Sequence, residues 1–156
     1  TCKDNGLNLP KIMFEPGRSL VAAAGVTLYS VGHVKTIPGY KSYIPVDGGM
    51  GDNPRYILYQ AKYEFLIASR ADQIKDKNVT VCGKCCESGD MLGENVPLGK
   101  VSEGDILAVK ATGAYNYSMS SNYNRLGKPP VVMLKDGKSY VAVKRETFED
   151  VCRNDI

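Results

Sequence analysis

Short apolar runs interrupted by glycine and proline set the texture of this chain, and no long amphipathic stretch appears. Lys11-Ile12-Met13-Phe14 is apolar and stops at Glu15-Pro16-Gly17-Arg18. Ser19 to Gly25 then predicts a short helix, with Ser19 as its N-cap and Gly25 as its stop. Strand, glycine-containing turn and helix is the α/β pattern, and it occurs once. From Val26 the texture changes. Val26 to Lys35 is rich in β-branched and aromatic residues, and Tyr43–Val46, Val79–Cys82 and Ile106–Lys110 are further strand candidates. Val131–Lys135 and Ser139–Val143 flank Asp136-Gly137, a strong hairpin signal. Tyr56 to Ser69 fits either one helix or a helical turn followed by a strand. Thr147-Phe148-Glu149-Asp150 reads as a capping box opening a C-terminal helix. Short strands joined by Gly/Pro-rich turns predict a mainly β fold, a sandwich or a barrel.

Composition narrows the function classes. The 156 residues suit one domain with a real core, or one domain plus a piece of another. A net charge of +3 without a Lys/Arg cluster does not point to nucleic acid. No run approaches the roughly 18 apolar residues of a membrane helix, and no secretory leader is visible. Five cysteines, an odd number, favour free thiols in a reducing, cytoplasmic setting. Thr1 to Gly6 reads as the tail of a helix cut in mid-element, so a fragment is expected.

Several segments could carry chemistry. Glu15-Pro16-Gly17-Arg18 could hold an anion, because Gly17 permits close backbone approach, or it could be a tight turn with a surface ion pair. Asp47-Gly48-Gly49-Met50-Gly51-Asp52-Asn53-Pro54-Arg55 ends in an arginine four residues before Tyr59. Helical spacing would put Arg55 and Tyr59 on one face, suited to a carboxylate or phosphate. Cys82, Cys85 and Cys86 form half of a zinc site, but a second pair is missing and the sole histidine, His33, lies far upstream, so no metal is assigned. Cys86, followed by Glu87 and Ser88, is a thiol in a polar loop, able to move a proton if its pKa is tuned. Tyr115 follows a strand and could present its hydroxyl to a ligand or to water. Gly93 to Lys100 imitates a phosphate-binding P-loop with the wrong spacing and no Ser or Thr after the lysine, and is rejected.

In this order the segments resemble the C-terminal part of the diaminopimelate decarboxylases, pyridoxal-phosphate enzymes of the alanine-racemase-like fold. The matching stretches are Glu15–Arg18, Val46–Met50 with Asp52–Arg55 and Leu58-Tyr59, Gly83–Asp90, Thr112–Tyr115 and Arg145–Thr147. The resemblance implies an N-terminal (β/α)8 barrel followed by a C-terminal β domain of Greek-key barrel or sandwich form. Residues 1–25 would be the last strand and helix of that barrel, and residues 26–156 the β domain. The family's Schiff-base lysine and glycine-rich phosphate loop belong to barrel segments that precede the matching region, so the chain alone is expected to be inactive.

Carried over position by position, the resemblance makes Glu15 the partner of the pyridinium nitrogen of pyridoxal 5′-phosphate. Gly17 and Tyr115 would bind its phosphate. Arg18 and Arg55, with Tyr59 and Ser88, would hold the distal carboxylate of meso-diaminopimelate, and Glu87 its distal ammonium. Cys86 would stand near the reacting carbon as a proton donor. Cys86, Glu87 and Ser88 would reach the site of the other subunit of a homodimer. The reaction implied is decarboxylation to L-lysine. Alternatives are a pyridoxal-phosphate decarboxylase of another basic amino acid, or a stand-alone β module for dimerisation or binding.

Overall fold

The computed structural model describes residues 1–156. Strand β1 (Val26–Ser30) and β4 (Phe65–Ile67) flank β7 (Ile106–Lys110) in an antiparallel sheet. A second sheet runs β2 (Lys35–Thr36), β3 (Ser42–Pro45), β5 (Lys77–Cys82), β6 (Met91–Leu98), with β3 and β5 parallel. β8 (Val131–Lys135) and β9 (Lys138–Val143) form a separate hairpin. Its turn residues Asp136 and Gly137 have φ of 51° and 72°, the pair of positive values that a two-residue primed turn requires. Four short α-helices, α1 (Arg18–Val21), α2 (Arg55–Tyr59), α3 (Asn116–Met119) and α4 (Phe148–Cys152), and four 3-10 turns complete the chain. α4 carries the expected capping box between Thr147 and Asp150. No helix is long and apolar enough to cross a membrane.

One apolar cluster joins the two larger sheets. Tyr29, Val31, Phe65, Ile67, Leu107 and Val109 meet Ile44, Val46, Val79, Val81, Leu92, Val96 and Leu98. β1 alternates as a half-buried strand should, with Val26 and Leu28 outward and Tyr29 inward. β5 has Val79, Thr80 and Val81 all buried, so its apolar run has no solvent face. Ile67, Leu107 and Val109 are wholly inaccessible; each such side chain contributes about 1.5–3 kcal/mol by leaving water.

The structure corrects several sequence expectations. The mainly β class holds, but the sheets do not close into a barrel. They are linked on one side by a single Val31–Val46 bridge, while the three-residue β4 pairs only with β7. Lys11–Phe14 is not a strand, since no other segment pairs with it, and Phe14 is 83% exposed. Gly17, not Ser19, caps α1, and Ser19 lies inside the turn; Gly25 does end the helical segment. Tyr56 to Ser69 resolves into its second alternative, a helical turn and then a strand. The longest strand, β6, went unrecognised because Gly93 and Pro97 interrupt its apolar pattern.

Candidate functional site

The first cluster is built by close backbone approach. The turn after β7 is stitched to the 3-10 turn that follows α1: the Thr112 N–H donates to the Gly25 carbonyl and the Gly113 N–H to the Ala22 carbonyl, both at 3.0 Å. The Thr27 hydroxyl donates to Thr112 Oγ1 at 2.8 Å. A Cβ at Gly25 would meet the Gly113 backbone, and one at Gly113 would meet the Val21 carbonyl. This stitching places the Tyr115 hydroxyl in the space that a Gly17 Cβ would occupy. Gly17 and Tyr115, nearly 100 positions apart in sequence, therefore share one surface. Tyr115 is 44% exposed, and Glu15 and Arg18, which flank Gly17 in sequence, are exposed and in no ion pair.

The second cluster is a convergence of loops. The Asp47–Asn53 segment lies on buried Tyr29, whose ring leaves no room for a Cβ at Gly48. The Tyr29 hydroxyl donates to Asp52 Oδ2, and Asp52 Oδ1 accepts the Gly49 N–H at 2.7 Å. Burial pushes the Asp52 carboxyl above its ordinary pKa against the pull of those donors, and burial with the neighbouring Asp52 charge pushes the Tyr29 phenol up. α2 follows this segment. The Arg55 guanidinium stands 5.3 Å from the Tyr59 ring centroid, so the two share a face as the spacing predicted. Its Nη1 reaches Met119 Sδ at 3.9 Å, while its buried Nε has no partner and no carboxylate pairs with it.

The loop from Gly83 to Asp90 packs beside α2, because Gly89 leaves no space between itself and Ile57. Glu87 Oε1 accepts the Gly89 N–H at 3.0 Å and the Ser88 hydroxyl at 3.4 Å; Oε2 accepts the Tyr123 hydroxyl at 3.4 Å. The Gly89 N–H, helped by Tyr123 and Ser88, holds the Glu87 carboxyl below its ordinary pKa. Glu87 is thus kept anionic and meets no cation within the chain. Cys86 is a free, exposed thiol beside it. Cys82 and Cys85 are half-buried free thiols, both pushed up chiefly by burial. No group of three or more His, Cys, Asp or Glu side chains is arranged for a metal.

Within this chain, then, Gly17 meets Tyr115, Arg55 meets Tyr59, and Glu87 meets Ser88. Four supporting residues have no role in the sequence expectations: Tyr29, Asp52, Tyr123 and Asp90. Asp90 ended a singled-out motif without a role, and the only signal was its place between glycine-rich segments.

Residues 20–113 match the family described as pyridoxal-dependent decarboxylase, C-terminal sheet domain. The chain is 54% identical over 151 residues to the diaminopimelate decarboxylase of Bacillus subtilis (strain 168), covering 97% of this chain and 34% of that protein. It is 49% identical over 154 residues to that of Synechocystis sp., covering 99% of this chain and 33% of the relative. It therefore spans about a third of the length of these relatives. A crystal structure of diaminopimelate decarboxylase from M. jannaschii in complex with L-lysine superposes with a TM-score of 0.83 at 36% identity, over 99% of this chain and 35% of that one. The lysine/ornithine decarboxylase of Vibrio vulnificus, at 24% identity and a TM-score of 0.60 over 70% of this chain and 29% of that one, shares the fold.

Proposed function

The chain belongs to the pyridoxal-dependent decarboxylases through their C-terminal sheet domain, and we propose that it serves decarboxylation of meso-diaminopimelate to L-lysine in a cytoplasmic homodimer. Residues 1–25 are then the end of the cofactor-carrying (β/α)8 barrel and residues 26–156 the β domain, in the Greek-key arrangement of the resemblance. The observation that carries the substrate is Arg55: a guanidinium held against Tyr59 and Met119 that no carboxylate of the chain pairs with. A fork of this kind suits a carboxylate that the ligand brings.

The donor set fits pyridoxal phosphate. Gly17 has a gap where a Cβ would be, the Tyr115 hydroxyl fills it, and Glu15 stands two positions before Gly17 in the same turn. When bound, the cofactor supplies the electron sink that loss of CO2 requires. Gly17 N–H and the Tyr115 hydroxyl hold its phosphate, and Glu15 keeps its ring nitrogen protonated. Arg18 and Arg55, with Tyr59 and Ser88, hold the distal carboxylate of the substrate, and Glu87 its distal ammonium. Cys86 delivers a proton from Sγ to the carbon that CO2 leaves. In this reading Cys86, Glu87 and Ser88 serve the partner subunit's site. The cofactor-holding lysine comes from the barrel, so residues 1–156 alone are expected not to turn over substrate.

The test compares substrates in the full-length polypeptide. Arg55→Ala is expected to lower kcat/KM for meso-diaminopimelate about tenfold or more beyond its effect on ornithine or L-lysine, which keep the distal ammonium but lack the distal carboxylate. Equal losses on all three, or a wild type that prefers ornithine, would refute the assignment.

A further inference from the structure

The two loops that lead to the proposed substrate groups meet at one buried carboxylate. Asp90 is 2% exposed. Its Oδ1 accepts the Met50 N–H at 2.6 Å and its Oδ2 the Cys85 N–H at 2.7 Å. Its backbone joins the same junction: the Asp90 carbonyl accepts the Gly83 N–H at 2.8 Å, and the Asp90 N–H donates to the Glu87 carbonyl at 3.0 Å. The Lys84 N–H donates across to the Gly48 carbonyl at 3.2 Å. Side chains are excluded from both flanks, since a Cβ at Gly49 or at Gly83 would run into the Asp90 carboxylate. Gly49 also has a φ of 153°, which L side chains rarely adopt.

The chain positions make this junction consequential. Met50 lies five residues before Arg55, and Cys85 immediately before Cys86, Glu87 and Ser88. Between the loops, Ile57 of α2 packs on Gly89. We infer that Asp90 is a positioning residue: one carboxylate fixes both the segment that aims Arg55 and the loop that presents Glu87. The inference rests on the proposed function for the roles of those two groups. If the Cys86–Ser88 loop serves the partner's site, Asp90 ties the carboxylate-holding group of one site to the ammonium-holding group of the other. It touches neither substrate nor cofactor.

Asp90→Asn is the sharpest probe because it keeps the shape. An amide has one acceptor oxygen, and its NH2 would face the N–H of Met50 or Cys85, donor against donor. In the full-length polypeptide, KM for meso-diaminopimelate is expected to rise about tenfold, with kcat and bound pyridoxal phosphate per protomer within about twofold. Hydrogen exchange at the Met50 and Cys85 amides should accelerate while that of Leu107 in β7 does not. Gly83→Ala, which keeps the charge but pushes the carboxylate from its seat, should give the same signature and covers the case in which Asp90→Asn does not fold. Loss of folded or cofactor-loaded protein with an unchanged KM in the remainder would make Asp90 merely structural and overturn the inference. A wild type that leaves meso-diaminopimelate untouched sinks the proposed function first. The exchange result then decides the staple alone, acceleration upholding it and no change overturning it.

Discussion

Replacing Tyr29 by Phe removes one hydroxyl from the floor of the Asp47–Asn53 segment and leaves the buried ring in place. That hydroxyl is the side-chain donor to Asp52 Oδ2; the other Asp52 oxygen keeps the Gly49 N–H at 2.7 Å. A hydrogen bond to a charged group contributes about 1.5–3 kcal/mol net. At about 1.36 kcal/mol per factor of ten, local opening of residues 47–53 should become roughly ten- to a hundredfold more frequent. The pH dependence follows from the direction of the Asp52 shift. Burial, first, raises its pKa, the Tyr29 and Gly49 donors pull it down, and the Asp90 charge raises it again. A carboxyl raised in the folded state contributes stability that is fully present below its unfolded pKa and lost as pH rises through its folded value. Removing the Tyr29 hydroxyl takes away a bond that favours the ionised form. The penalty should therefore be largest at neutral pH and shrink as Asp52 takes up its proton in acid. Hydrogen-exchange mass spectrometry of the 47–53 peptide, corrected for intrinsic exchange, reads both effects. Unchanged protection in Tyr29→Phe at neutral pH, or a penalty that is the same in acid, would refute the reasoning.

Two further perturbations separate the halves of the structure. Gly17→Ala puts a methyl where the Tyr115 hydroxyl lies, so equilibrium binding of pyridoxal phosphate, followed by its visible absorbance in the full-length polypeptide, should weaken about tenfold or more while the fold persists; undiminished binding would remove Gly17 and Tyr115 from the phosphate site. Leu107→Ala empties a wholly buried position shared by both large sheets and should cost about 2–5 kcal/mol in denaturant unfolding, with Arg55 and Glu87 untouched; a loss below about 1 kcal/mol would show that the site collapses to fill the void.

What was legible in the sequence depended on how local the cause was. The β8–β9 hairpin and the α4 capping box are set within a few residues, by Asp136-Gly137 and by Thr147 with Asp150, and both were read correctly. β6 was not, because tertiary pairing with β5 sustains a strand that Gly93 and Pro97 would break on propensity alone. Lys11–Phe14 failed in the opposite sense: its pattern is strand-like, but a strand needs a neighbour to take its N–H and C=O groups, and none lies beside it. In the candidate site, residue types and order carried the resemblance to a family. The supports remained invisible, because the Tyr29–Asp52 and Asp90–Met50 contacts join segments 23 and 40 residues apart.

The charge pattern ties these supports to chemistry. Some charges pair within the chain, as in Lys41–Glu94, Arg70–Asp105, Lys110–Glu64 and Arg125–Asp155. Glu15, Arg18, Arg55 and Glu87 enter no ion pair, yet two of them are held in place: Arg55 by Tyr59 and Met119, Glu87 by Gly89, Ser88 and Tyr123. Positioning a long side chain costs entropy that an exposed, unpaired charge does not return in stability. The half-buried Asp52 and the buried Asp90 carboxylates anchor the backbone on both sides of these groups, adding desolvation cost to a region where an apolar packing would serve stability as well. The arrangement is intelligible if its return comes from a ligand that carries both a carboxylate and an ammonium, which is the chemistry of the distal end of diaminopimelate.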